Sequence, residues 1–312
     1  MRYLVTGGAG FIGSNIVDEL VRRGHEVTVL DDLSTGAEIN LADARAKVDF
    51  RVGSIADLAA VQSACHKMDY VIHLAARTSV PKSVIDPIET NRVNIDGTLN
   101  VLVAARDAKV RRMVYAASSS AYGETPTLPK IETMPAEPIS PYGVTKYVGE
   151  LYAQVFGRVY GLENASVRYF NVFGPRQDPT SQYSGVLSRF MLAAIEGAPL
   201  TIYGDGEQTR DFICVSDVVT ANLRALEAER GIGEAFNIGI GQPTSIKELY
   251  GILAELFNNP DIAPVYTDER RGDIKHSYAN VTKAKNVLGF QAKIELKPGV
   301  DHLIRAYCAP SR

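Results

Sequence analysis

Thr6-Gly7-Gly8-Ala9-Gly10-Phe11-Ile12-Gly13 is the stretch on which the fold turns. It follows the β-branched run Tyr3 to Thr6 and passes into a helical pattern whose apolar face is Phe11, Ile12, Ile16, Leu20 and Val21, with Gly24 as a stop. Gly8, Gly10 and Gly13 permit a tight turn and a close backbone approach, and Gly7 adds a second glycine register. A pyrophosphate can then sit on the amides that open the helix. Taken alone, such a turn is also an ordinary strand-to-helix connection. Asp31 decides between the two. It closes the next strand-like run, Glu26 to Asp31, where a carboxylate accepts both hydroxyls of an adenosine ribose and repels a 2′-phosphate. The expected cofactor is NAD rather than NADP.

Outward from this unit, the runs Asp49 to Val52, Tyr70 to Ala75, Arg112 to Ala117 and Ala165 to Phe170 alternate with helical periodicity. That is the rhythm of an α/β, Rossmann-type, doubly wound parallel sheet. After about residue 170 the pattern gives way to turns such as Phe173-Gly174-Pro175-Arg176 and Gly204-Asp205-Gly206. The expected organisation is an NAD-binding domain over 1–170 and a smaller α/β substrate lobe over 171–312. Segments near 212–240 rejoin the first domain through the buried run Ala235 to Ile238.

The 312 residues carry 33 Lys and Arg against 36 Asp and Glu, a net charge of −3. No basic field exists to hold nucleic acid or an anionic membrane. No stretch approaches the roughly 18 apolar residues of a membrane span, and the start of the chain lacks the apolar core of a signal peptide. A cytoplasmic protein is expected. Cys65, Cys214 and Cys308 lie far apart without metal-ligand spacing, so neither a disulfide framework nor a metal site is expected.

Tyr142-Gly143-Val144-Thr145-Lys146 places a phenol and an ammonium one turn apart on a helix starting near Pro141. A phenol works as a base near neutral pH only if its anion is stabilised, and a neighbouring cation does that. Ser118-Ser119-Ser120 ends the run Met113 to Ala117 at the carboxyl edge of the sheet, where ligands of such folds bind. Leu74-Ala75-Ala76, at the end of another buried run, offers small residues beside which a cofactor can lie.

With these motifs, Arg168-Tyr169-Phe170-Asn171-Val172-Phe173-Gly174 and Arg270-Arg271-Gly272-Asp273, the chain resembles the extended short-chain dehydrogenase/reductases over nearly its whole length. Within them it is most similar to UDP-hexose 4-epimerases, in particular bacterial enzymes acting on UDP-N-acetylhexosamines. The resemblance implies that Tyr142 is the base, Lys146 its electrostatic partner, and one serine of the trio the proton relay. Ser118 fits when counted back from Tyr122, Ser119 or Ser120 when counted from the strand.

It further implies that Ser54, Ile55, Asn94 and Tyr169 join Gly7, Gly10, Phe11, Ile12, Gly13, Asp31, Leu74, Ala75 and Ala76 around the cofactor. Relatives often carry Asp where this chain has Ser54. Asn171, Val186, Tyr203, Arg210, Arg270, Asp273 and Ser277 would meet the sugar nucleotide, with the two arginines on its diphosphate. The small Ser277 leaves room for a 2-acetamido group, so UDP-GlcNAc/UDP-GalNAc and also UDP-Glc/UDP-Gal are the expected substrates. Hydride leaves C4 for NAD and returns to the other face of a transient 4-keto sugar.

Three alternatives remain open at this level. A UDP-glucuronate 4-epimerase would use a cation such as Arg189 for the carboxylate. A UDP-glucuronate decarboxylase usually has an acidic residue where Ala121 precedes Tyr122-Gly123. A non-catalytic NAD-binding regulator could share the fold. The apolar stripes over Ile95 to Ala105 and Val144 to Val159 suggest a homodimer through a four-helix bundle, or else an unusually apolar internal contact.

Overall fold

The computed structural model describes residues 1–178, 185–258, 264–269 and 274–308. The first half lays down β1 (Arg2–Thr6), α1 (Phe11–Arg22), β2 (Glu26–Asp31), β3 (Val48–Val52), α2 (Leu58–Cys65) and β4 (Tyr70–His73). Then come α3 (Val80–Ile85), α4 (Pro87–Asn91), α5 (Gly97–Asp107), β5 (Arg112–Ser118), α6 (Pro141–Tyr160) and β6 (Asn164–Tyr169). The second half contributes β7 (Asn171–Phe173), α7 (Val186–Glu196), β8 (Leu200–Tyr203), β9 (Thr209–Arg210), β10 (Phe212–Cys214), α8 (Val215–Glu227) and β11 (Glu234–Ile238). It closes with β12 (Thr244–Ser245), α9 (Ile246–Leu256), β13 (Pro264–Thr267), β14 (His276–Ser277) and α10 (Leu296–Cys308).

Among the described residues, seven strands form one sheet in the order β11-β6-β5-β4-β1-β2-β3, every neighbouring pair parallel. Both faces are covered by helices, which is why the strands read as near-continuous apolar runs: Leu4, Val5, Val71, Ile72, Met113 and Val114 have no exposed surface. The order reverses between β1 and β4, and in such sheets the crevice above that reversal, at the carboxyl ends of the strands, binds ligands. Glu234–Ile238 adds to β6, so the chain returns to the large sheet after an excursion. The excursion and the C-terminal segments build a second core around Phe190, Leu200, Ile202, Leu249 and Leu303, with three small sheets.

Helix α6 presents its faces in an order that periodicity alone does not disclose. Its apolar stripe Val144, Leu151, Val155 and Val159 is exposed by 41% to 64%. The buried side is instead Gly143, Thr145, Lys146, Gly149, Glu150, Ala153 and Phe156. Small and polar residues face the sheet because the sheet sends polar partners to meet them. Arg168 on β6 makes a two-pronged pair with Glu150 at 2.6 and 2.8 Å, and its guanidinium covers the Tyr122 ring. Tyr115 on β5 comes so close to the helix that a Cβ on Gly149 would lie 2.2 Å from its hydroxyl.

Candidate active site

A cavity of about 740 Å³ runs along the carboxyl edge of the sheet, from Asp31 and Asp32 past the glycine turn to Ser118, Tyr142 and Lys146. Its floor is backbone. Gly7 has φ +70°, and a Cβ there would lie 2.7 Å from the Ala75 amide; at Gly13 it would lie 2.1 Å from the Gly7 carbonyl oxygen. Both positions therefore demand glycine. Phe11, Ile12 and Gly13 form the first turn of α1 and line the cavity, so amides without a helical acceptor face it at the positive end of the helix dipole.

Asp31 is 6% exposed. Its two oxygens accept the amides of Ala9 and Leu33, each at 2.9 Å. Burial pushes its carboxyl up while these amides oppose the rise. One carboxylate offers about four lone-pair sites, so it keeps capacity for a pair of ligand hydroxyls. Leu74, Ala75 and Ala76 form the opposite lip; the Ala75 amide is fixed by Thr6 Oγ1 at 3.3 Å. Ile55 lines the cavity with Gly53, whereas Ser54 turns its hydroxyl to the Ala56 amide at 3.3 Å.

The groups of the Tyr-x-x-x-Lys motif stand at the far end. Ser140 caps α6 by accepting the Gly143 amide at 3.1 Å, and Pro141 fills the first helical position. This sets Tyr142 facing the cavity and Lys146 one turn below it. Burial raises the Tyr142 phenol above its ordinary value, and the neighbouring Ser118 hydroxyl opposes the rise. Lys146, 4% exposed, donates to the Ala116 carbonyl at 2.7 Å, and burial lowers its ammonium to about 7. One of the three Lys146 donors is used on this β5 carbonyl, and Lys146 lines the same cavity as Tyr142 and Ser118.

Of the serine trio, Ser118 lies in the cavity. Its Oγ accepts from the Ser120 amide at 3.2 Å and from Ser120 Oγ at 2.9 Å, while Ser119 opens the following turn. Val93 lines the cavity, and Asn94 is buried behind it, its Oδ1 accepting from Arg77 N at 2.7 Å and its Nδ2 donating to Thr145 Oγ1 at 3.0 Å. Tyr169 presents its ring to the cavity and donates its hydroxyl to Asn222 at 2.8 Å.

In the smaller lobe, Asn171 borders the cavity at the start of β7. Arg210 and Ser277 are direct neighbours across β9 and β14. Tyr203 ends β8, with the Arg189 guanidinium 5.9 Å from its ring centre, and Val186 opens α7. Arg270 and Asp273 lie outside the described residues.

The cavity also contains residues that sequence reasoning missed. Asp32, Ser34, Thr35 and Asn40 line the Asp31 end, where Asn40 Nδ2 and the Ala37 amide both donate to the Ala9 carbonyl at 2.9 and 3.0 Å. The signal was present in Ser34-Thr35-Gly36: a Cβ on Gly36 would lie 3.0 Å from Asp31 Oδ1, so this loop packs on the Asp31 carboxylate. Arg176, Gln177 and Tyr307 close the other wall. Arg176 pairs with Asp18 of α1, and Tyr307 donates to the Gln177 carbonyl.

The model for the NAD dependent epimerase/dehydratase family matches residues 3–239. The chain belongs to that family. A UDP-glucose 4-epimerase of Mycolicibacterium smegmatis is 42% identical over 305 residues, covering 96% of each chain. Among solved structures, the UDP-glucose 4-epimerase of Thermotoga maritima, determined with UDP-glucose, is 41% identical with a TM-score of 0.94 over 98% of both chains. The UDP-N-acetylglucosamine 4-epimerase of Methanobrevibacter ruminantium M1, in complex with UDP-N-acetylmuramic acid, is 37% identical with the same TM-score, covering 98% of this chain and 97% of that one.

Proposed function

We propose that this protein is a UDP-hexose 4-epimerase that uses tightly held NAD. The observation that carries the reading is one cavity joining a glycine-floored, Asp31-ended dinucleotide cradle to Ser118, Tyr142 and Lys146. The fit of the cradle rests on the chain itself: at Gly7 and Gly13 a side chain would collide with backbone, leaving that surface bare for a pyrophosphate, and Asp31 retains acceptor capacity for ribose hydroxyls. NAD bound there would take a hydride from the sugar C4, give it back, and bring a positive ring close to Tyr142.

Tyr142 removes the C4 hydroxyl proton. Ser118, on the same cavity wall, provides the path by which the proton reaches the phenol, with Ser120 holding Ser118 in place. Lys146, anchored on the Ala116 carbonyl, contributes positive charge beneath the site. Arg210, with Arg270, holds the substrate diphosphate while the sugar turns, so binding energy remote from C4 orients the reacting end. Ser277, across the strand from Arg210, leaves space for an acetamido group, which favours UDP-GlcNAc/UDP-GalNAc as well as UDP-Glc/UDP-Gal. The exposed stripe of α6 supports a homodimer, in which a second copy covers Val144, Leu151, Val155 and Val159.

The test is a product analysis over UDP-GlcNAc, UDP-GalNAc, UDP-Glc and UDP-Gal, with UDP-glucuronate as a fifth arm. Interconversion within both pairs is expected. Turnover confined to UDP-glucuronate, or release of carbon dioxide from it, overturns the assignment. Tyr142→Phe is expected to cut turnover to a small residual rate and keep NAD; unchanged cellular function in that variant would instead indicate a regulator.

A further inference from the structure

Tyr142 is held by a residue outside the catalytic motif. At the start of α6 the first intrahelical bond is from Val144 N to the Ser140 carbonyl, and Pro141 has no amide. The Tyr142 and Gly143 amides are therefore left for side chains. Gly143 uses the helix's own cap, Ser140. Tyr142 N donates instead to Ser83 Oγ at 3.1 Å, a contact that reaches back 59 residues to α3. Ser83 has no exposed surface, and its hydroxyl donates to the Val80 carbonyl at 2.7 Å. Both capacities of one buried hydroxyl are thus used, and its acceptor side is spent on the backbone of the base. The Tyr142 carbonyl is gripped too, by Thr145 Oγ1 at 2.9 Å.

We propose that Ser83 is a positioning residue for the epimerase reaction, fixing Tyr142 within reach of Ser118 and of the sugar hydroxyl. The inference rests on the reading of Tyr142 as the base. Without the Ser83 hydroxyl the Tyr142 amide has no partner at this position, the first turn of α6 relaxes, and the phenol drifts from Ser118. Since the Ser118 hydroxyl is the neighbour that opposes the rise of the phenol's pKa, moving the phenol away from it also shifts its titration upward.

The experiment compares Ser83→Val with Ser83→Thr, two side chains of one shape that differ in the hydroxyl. NAD content, kcat, KM and the pH dependence of kcat are measured on each. Ser83→Val is expected to lower kcat about ten- to hundredfold, the scale of a small misplacement of a reacting group. KM and NAD content should stay at the wild-type level while the acidic limb of the profile moves to higher pH. Ser83→Thr should restore most of kcat and the wild-type limb. In a Tyr142→Phe background, adding Ser83→Val should cause no further loss, because a residue acting through Tyr142 has nothing left to act on.

Equal impairment of the Val and Thr variants, an unshifted limb in Ser83→Val, or multiplying losses in the double variant would each overturn the proposal. Wild-type turnover in Tyr142→Phe alone would instead refute the reading of the base.

Discussion

Replacing Lys146 by Met should abolish turnover and at the same time stabilise the protein stripped of cofactor. The ammonium is 4% exposed, and burial brings it from its ordinary 10.5 to about 7. Such a fall corresponds to roughly 4–5 kcal/mol of penalty for the charged form in the folded state. Met fills a similar volume without that penalty, but it leaves the Ala116 carbonyl without its 2.7 Å partner, a loss of about 1–2 kcal/mol. The net expectation near pH 7 is a gain of roughly 2–4 kcal/mol, worth several degrees in melting temperature for a chain of this size.

The sign of the pH dependence follows from proton uptake. Between about 7 and 10.5 the unfolded chain keeps the Lys146 proton and the folded chain has released it. The wild type therefore gains stability as pH rises across that window, by about 1.4 kcal/mol per pH unit from this group, and below it the penalty is complete. The advantage of Lys146→Met should shrink by that slope between about pH 7 and pH 10. Denaturant unfolding of both stripped proteins over that range is the assay. A variant less stable than wild type near neutrality, or a difference constant with pH, refutes the reasoning.

Other outcomes follow from the same geometry. Ser118→Ala should reduce kcat by about 10²–10³ and retain NAD, the scale of losing one proton-transfer partner; rates and cofactor content on the purified variant check it. Gly13→Ala places a Cβ 2.1 Å from the Gly7 carbonyl oxygen, so NAD content after purification should drop to near zero, and full occupancy would argue against the cradle. Glu150→Gln leaves Arg168 buried without its anion and should cost about 3–5 kcal/mol in denaturant unfolding.

The dinucleotide half of the fold is legible because its constraints are steric and local. Glycines at 7, 10 and 13 and an acid at 31 answer to contacts within one strand-turn-helix-strand unit, and the parallel rhythm follows from strands buried on both faces. The Tyr142/Lys146 spacing is legible for the same reason, since one helical turn fixes it. What the sequence does not disclose is direction. The apolar period of α6 is clear, yet it faces outward, because the side toward the sheet carries Lys146, Glu150 and Gly149 against Ala116, Arg168 and Tyr115.

Long-range pairings are equally hidden. Arg210 meets Ser277 through strands of two residues each, and Asn94 and Ser83 reach Thr145 and Tyr142 across more than one element. No periodicity marks a two-residue strand or a single buried hydroxyl. Asn94 shows the consequence: nothing in its sequence setting discloses that it holds the backbone of Arg77 and the side chain of Thr145.

The account stands on a hydride that leaves C4 and comes back to the same carbon. The most direct measurement is the fate of deuterium placed at C4 of UDP-glucose during conversion to UDP-galactose in ordinary water. Full retention of the label at C4 of the product, with no additional cofactor consumed, is the predicted result. Washout of the label to solvent would contradict it.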